Sequence, residues 1–216
     1  MPMPYPVFVP RWVQRLLPAY QWRGPTDTAP TLYLTFDDGP IPEVTPWVLD
    51  QLAAYGAKAT FFCVGANVQR HPALYARLLA EGHQTGNHTQ HHLDGWRYST
   101  AAYMADVARA AEGVASPLFR PPYGRLRWGQ ARALRRAGFQ IVLWEALAGD
   151  FDPQLRAEDC WQRLKGRLRD GSIVVLHDSH KAWPRLEGIL PQLLKHYQGL
   201  GYQFKALPLS PLAQVP

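Results

Sequence analysis

Apolar residues recur along the chain in two alternating rhythms. Short apolar runs bounded by turn residues predict strands at TLYLTF (31–36), ATFFCVG (59–65), near HQTGN (83–87), LFR (118–120), FQIVLW (139–144), SIVVLH (172–177) and YQFKAL (202–207). Between them lie helical patterns. TPWVLDQLAAYG carries Thr45 as N-cap, Pro46 at the first helical position and Gly56 as stop, and PALYARLLAEG ends at Gly82. Further helices are predicted from about Thr100 to Glu112, in GQARALRRAG, in AEDCWQRLKGRLRDG and in RLEGILPQLLKHYQG. Strands separated by helices imply an α/β fold with a parallel sheet covered by helices. An open doubly wound sheet and a closed barrel both fit, and periodicity does not choose between them. In either, function gathers in loops at the C-terminal ends of the strands.

The residues just past each strand are therefore the informative ones. Asp37-Asp38-Gly39-Pro40 comes after the first, HTQHH (88–92) after the third, Arg120-Pro121-Pro122-Tyr123-Gly124 after the fourth, Trp144 and then Asp150 after the fifth, and His177-Asp178 ends the sixth. Titratable groups converging on one rim make a site the favoured reading. His88 and His92 are four apart, the spacing that puts two imidazoles on one face of a helical turn, and His91 could share a face with His88. With a carboxylate from another strand, such a pair forms a His₂Asp metal set that leaves positions open for water and substrate.

Turn chemistry explains one aspartate before Gly39-Pro40 comfortably and two poorly. A cation explains both: one carboxylate ligates it and the neighbour accepts a proton from water. His177, ending an apolar strand, is a candidate general acid that Asp150 would orient and charge. Arg120, on a stiff proline loop, could keep Asp37 ionised, and the Tyr123 backbone N–H could meet a developing oxyanion. Trp96, Tyr123, Trp128 and Phe151 are candidates to line a sugar groove, although most of the tryptophans are expected to pack.

Composition narrows the class without changing this picture. With 216 residues, 47% of them hydrophobic, the chain can bury one good-sized core and is neither disordered nor fibrous. No apolar run approaches the length of a membrane span. The proline-broken N-terminus lacks a basic n-region, so the default expectation is cytoplasmic. Cys63 and Cys160 fall in strand and helix patterns without CxxC spacing and are expected to pack. The net charge of +6 comes largely from arginine and suits a solvated basic face or an acidic polymer; no recognition motif points to nucleic acid.

TFDDGP, HTQHH, RPPYG, the Asp150 loop and VLH resemble, in order, the five motifs of polysaccharide deacetylases of carbohydrate esterase family four, the NodB-homology domain, across roughly residues 31 to 207. The resemblance implies a distorted, incomplete (β/α) barrel of about seven parallel strands, TIM-barrel-like. It implies a catalytic domain over 30–208, with residues 1–29 as an N-terminal extension packing on it and 209–216 as a tail. It also implies removal of N-acetyl groups from N-acetylglucosamine polymers such as peptidoglycan or chitin with one divalent metal, commonly Zn²⁺, with Co²⁺ or Ni²⁺ as alternatives. An O-acetyl esterase on xylan and a non-catalytic carbohydrate-binding protein are the rival readings. A monomer is expected, with an N-acetylated polysaccharide or oligosaccharide as its partner and the cell envelope as a second possible location.

Carried over by position, Asp37 matches the base, Asp38, His88 and His92 the metal ligands, Arg120 the arginine contacting the base, Asp150 the aspartate tuning the acid, and His177 the acid. Three positions depart from the pattern: Phe151 stands where Trp is usual, Val175 where Leu is usual, and Leu147 where many members carry another aspartate. None removes a metal ligand, the base or the acid; they bear on substrate identity.

Overall fold

Parallel pairing around one central strand organises the chain. The computed structural model describes residues 6–209; the C-terminal tail beyond that, like residues 1–5, lies outside the described residues. The strands are β1 (Thr31–Asp37), β2 (Thr60–Cys63), β3 (Gln84–Asn87), β4 (Leu118–Phe119), β5 (Gln140–Ile141), β6 (Ala146–Leu147), β7 (Ile173–His177) and β8 (Gln203–Phe204). Their order is β5-β4-β3-β2-β1-β7-β6, every adjacent pair parallel, with β8 beside the start of β1. The helices are α1 (Arg11–Leu16), α2 (Thr45–Ala54), α3 (Gly65–Arg70), α4 (Pro72–Ala80), α5 (Thr100–Ala111), α6 (Trp128–Arg136), α7 (Ala157–Leu164) and α8 (Trp183–Gly199). The seven strands of the path curl into an incomplete (β/α) barrel, the closed-type alternative that periodicity left open.

All seven residues of β1 are buried, as a central parallel strand requires. The main core lies between the sheet and its helices, joining Leu32, Leu34 and Phe36 of β1 to Leu49, Leu52, Leu186, Leu190 and Leu194. Cys63 and Cys160 are free and buried within it, as packing residues.

Several elements differ from the sequence pattern. The run FQIVLW is one expected strand, but the structure divides this stretch: β5 ends at Ile141, and β6 forms only at Ala146–Leu147, against β7. Helix α3 stands where no element was expected, and its first residue, Gly65, lies at the end of the expected strand 59–65. Thr45 is the first residue of α2 and not its N-cap, which is Val44. The Thr45 hydroxyl instead accepts from the Ile41 N–H at 2.8 Å and donates to Asp178 at 2.6 Å. The segment before β1 lies on the sheet's edge: Phe8 bridges Ala146, Gln21 bridges Val142 and Arg23 bridges Ser172. Among the described residues no helix is long and apolar enough to cross a membrane.

Candidate active site

The register of β1 against β7 sets Asp37 beside His177, both at the C-terminal ends of their strands. Asp37 is the last residue of β1, and its side chain turns inward to Arg120. The Arg120 guanidinium is wholly buried. It donates to Asp37 Oδ1 at 2.7 Å, to Thr35 Oγ1 at 2.7 Å, and to the carbonyls of Val142 and Leu143 at 3.3 and 3.2 Å. It also lies 4.0 Å from the centroid of the Phe62 ring. A buried guanidinium with its donors met in this way is a fixed counter-charge.

Asp38 turns the other way. Its φ of 85° leaves the strand, and Gly39 comes next in a place no side chain fits, since a Cβ there would sit 2.0 Å from Asp178 Oδ2. The carboxylate of Asp178 takes the Gly39 N–H at 3.1 Å and the Thr45 hydroxyl, so it clasps the turn that carries Asp38. Burial pushes the Asp178 carboxyl up to about 8, with nearby Asp38 adding to the rise and the hydrogen bond from Thr45 opposing it.

Across the rim stand the histidines of the loop after β3. Asp38 Oδ1 lies 3.1 Å from His92 Nε2 and 3.9 Å from His88 Nε2, and one ligand atom from each of the three residues falls within 4.8 Å of the others. The expected helical turn over 88–92 is absent. Thr89 and His92 instead have φ of 64° and 54°, and the Asn87 side chain accepts the Thr89 N–H while the Thr89 hydroxyl accepts the Leu93 N–H. This folded loop brings the two imidazole rings to 5.1 Å. His91 turns away and contacts Asp106 at 2.5 Å. His180 reaches Glu43 on the exposed surface.

The donor set suits a divalent cation. Burial lowers the His88 pKa to about 4, so the ring is neutral, and its Nδ1 faces the Arg120 carbonyl at 2.8 Å, which leaves Nε2 with a free lone pair toward Asp38. Burial alone would raise the Asp38 carboxyl, but His92, His177 and His88 outweigh it and hold it well below the usual carboxylate range. A neutral imidazole and an ionised carboxylate are the ligand forms a cation needs.

On the far side of β1, Asp150 is fully buried and accepts twice from His177: from Nδ1 at 2.8 Å and from the backbone N–H at 2.7 Å. Arg185 Nε donates to the Asp150 carbonyl at 2.9 Å and steadies that loop. Burial works to discharge His177, but the Asp150 carboxylate overrides it and brings the ring up to about 9. Phe151 meets the His177 ring edge-on at 5.2 Å. Val175 and Leu147 are paired in register on β7 and β6, so two of the three departures stand side by side in the sheet. Tyr123 sits at φ 59° on a tight turn, 4.8 Å from the His92 ring, and the next residue, Gly124, packs so closely on Trp144 that a Cβ would be 2.7 Å from it. The eight residues given catalytic or metal-binding roles from the sequence thus converge on one rim. Asp178 was named at its strand end but given no role, and Asn87, the last residue of β3, was not singled out, although the two shape the key loops.

The chain matches the family model described as polysaccharide deacetylase over residues 24–142. It is 35% identical over 192 residues to a peptidoglycan-N-acetylglucosamine deacetylase of Bacillus cereus, spanning 85% of this chain and 88% of that protein. It is 37% identical over 162 residues to a chitooligosaccharide deacetylase of Sinorhizobium fredii, spanning 69% and 73%. A solved peptidoglycan N-acetylglucosamine deacetylase in complex with an N-oxidanyl-benzamide superposes with a TM-score of 0.80 at 30% identity, covering 92% of this chain and 94% of that one.

Proposed function

Because the chain belongs to the polysaccharide deacetylase family, we propose that it is a metal-dependent hydrolase removing N-acetyl groups from an N-acetylglucosamine-containing glycan. The observation that carries this reading is the meeting at one rim of three units: Asp37 with Arg120, the Asp38–His88–His92 set, and His177 with Asp150. Asp38, His88 and His92 would hold the ion, with zinc the best match to a His₂Asp set. When bound, it would supply a Lewis acid and acidify water.

The remaining work falls to the chain. Arg120 occupies Oδ1 of Asp37, and Oδ2 is the oxygen assigned to accept the proton of the attacking water. The Tyr123 N–H, on its rigid turn, is the assigned donor to the negative charge that develops on the acetyl oxygen. His177, its Nδ1 tied to Asp150 and its ring charged, presents Nε2–H to the leaving amine. Phe151, against the His177 ring, would border the space for the acetyl methyl. Residues 30–208 would form the catalytic domain, with the preceding segment packed on its edge.

The test is acetate release from N-acetylglucosamine oligosaccharide, peptidoglycan and acetylxylan, each with zinc, cobalt or nickel. N-acetylated substrates are expected to be cleaved, and Asp37→Asn is expected to bind metal at full occupancy without turnover. Full activity of Asp37→Asn, or acetate from acetylxylan alone, would overturn the reading.

A further inference from the structure

Resting on the deacetylase reading, we propose that the rim beside His92 carries a subsite for an anionic glycan, built by Trp96, Arg97, Arg125 and Arg127. It would recognise a carboxylate borne by the sugar next to the N-acetylglucosamine that loses its acetyl group. The platform extends outward from the site. Tyr123 stands against His92; the Arg125 guanidinium lies 5.7 Å from the Tyr123 ring centroid and 4.8 Å from that of Trp96. Trp96 and Tyr123 are 53% and 62% exposed, so both offer open ring faces of the kind on which sugar rings stack. Trp96 is held in place: its indole N–H donates to the Leu126 carbonyl, and its own carbonyl accepts from Arg127.

Charge decides what such a platform would take. Asp94 is the one carboxylate in the cluster, accepting from Arg125 at 2.7 Å, with Arg97 at 3.6 Å from the same oxygen. Its other oxygen takes the Trp96 N–H. Two arginines therefore face one carboxylate whose oxygens are both engaged, and the third, Arg127, has no acidic partner among the described residues. Residues 113–144, which include the Tyr123 turn and α6, contain six arginines and no Asp or Glu, so nothing on that stretch offsets the excess.

Arg97 is not needed as scaffold, and Arg127 adds one side-chain hydrogen bond, to the Trp96 carbonyl. The two loops are already joined by Gln130, whose side chain donates to the carbonyls of Gly95 and Tyr98, and by the Arg125–Asp94 contact. Arg97 and Arg127 are exposed, and a planar guanidinium matches a carboxylate through paired hydrogen bonds. A neutral glycan would use only the aromatic faces.

The experiment compares three soluble substrates: an oligosaccharide alternating N-acetylglucosamine with its 3-O-lactyl ether, the same oligosaccharide with the lactyl carboxylate methyl-esterified, and a neutral N-acetylglucosamine oligosaccharide. At low salt, kcat/KM for the free acid is expected to exceed that for its ester by about two- to thirtyfold, the effect of two exposed ion pairs, and mostly through KM. Raising the ionic strength should narrow that gap. In the Arg97→Gln/Arg127→Gln double variant the acid-to-ester ratio should fall toward one, whereas Lys195→Gln, which removes the same kind of charge on exposed α8 surface, should keep it. Equal rates on acid and ester in the wild type, with acetate still released, would overturn the subsite and leave the deacetylase reading standing. An acid preference that survives in the double variant would overturn the assignment to these arginines. No acetate from any of the three would instead bring down the deacetylase reading itself.

Discussion

Replacing Arg120 by methionine isolates what the buried guanidinium does for Asp37. Methionine keeps most of the apolar volume against Phe62, so the loss is mainly of charge and hydrogen bonds. Four contacts go: those to Asp37 and Thr35, each at 2.7 Å, and those to the Val142 and Leu143 carbonyls. Asp37 is only 4% exposed, so its carboxylate is left without a counter-charge and with little water. Breaking a buried pair from one side costs about 3–5 kcal/mol. In a chain of this length each kcal/mol moves Tm by about 2–4 °C, so thermal unfolding of metal-free protein should show a fall of about 6–20 °C. Adding Asp37→Asn to Arg120→Met removes the stranded charge and should recover at least about 1 kcal/mol relative to the single variant, a coupling that a double-mutant cycle reads directly. A Tm within about 2 °C of wild type for Arg120→Met, or strictly additive losses in the double variant, would refute the pairing as the reason for the arginine's burial.

Asp150→Asn should leave the fold intact but discharge His177, because the burial that opposes its charge remains while the carboxylate does not; an NMR titration should find the ring well below its present value of about 9, and kcat should drop by about 10²–10⁴-fold. An unchanged titration would remove Asp150 from its assigned role. His83, remote from the site, is held neutral by burial at about 4 while its Nδ1 accepts the Ala59 N–H. Its folded value lies below the unfolded one near 6.5, so the stability it contributes is complete above that pH and is lost as pH falls toward 4. Urea unfolding should show wild type losing about 2 kcal/mol more than His83→Asn between pH 8 and pH 5; parallel pH profiles would contradict it. Chelation should abolish acetate release and added zinc restore it, with Asp38→Ala recovering neither metal nor activity; full turnover after metal analysis shows an empty protein would exclude the proposed ligand set.

The alternation of strands and helices was legible because each central strand is a continuous apolar run, and the polar residues at its end stand out against it. The parts that were not legible depend on backbone conformations or partners distant in sequence. Nothing in HTQHH announces left-handed φ at Thr89 and His92, and the even spacing suggested a helical turn in their place. β6 is two residues long, too short for any period, and exists because Ala146 and Leu147 meet Val174 and Val175. Glu145, which no motif marks, is buried and draws Arg23, Arg169 and Ser172 together. The arginine platform is likewise spatial: Trp96 and Arg125 are neighbours only because the loops after β3 and β4 fold together.

Asp37 and Asp38 show how two adjacent carboxylates can be kept from opposing each other. Successive side chains of a strand point to opposite faces, but that alternation alone would send one of them into an apolar layer. Here the strand stops between them. Asp37 keeps strand geometry, in register with His177, and is received by a guanidinium already committed to two carbonyls and a hydroxyl. Asp38 adopts a left-handed φ and swings toward two imidazoles on another loop. The turn that permits this is clasped by a third aspartate, Asp178, whose raised pKa favours the protonated form near neutral pH and so keeps a further negative charge away from the pair. Each carboxylate thus has its own source of compensation: an arginine for Asp37, histidines and the proposed cation for Asp38, and a proton for Asp178. Substituting any one of the three compensating groups should disturb its own carboxylate first, which is why the Arg120 and metal-removal experiments are expected to give separable results.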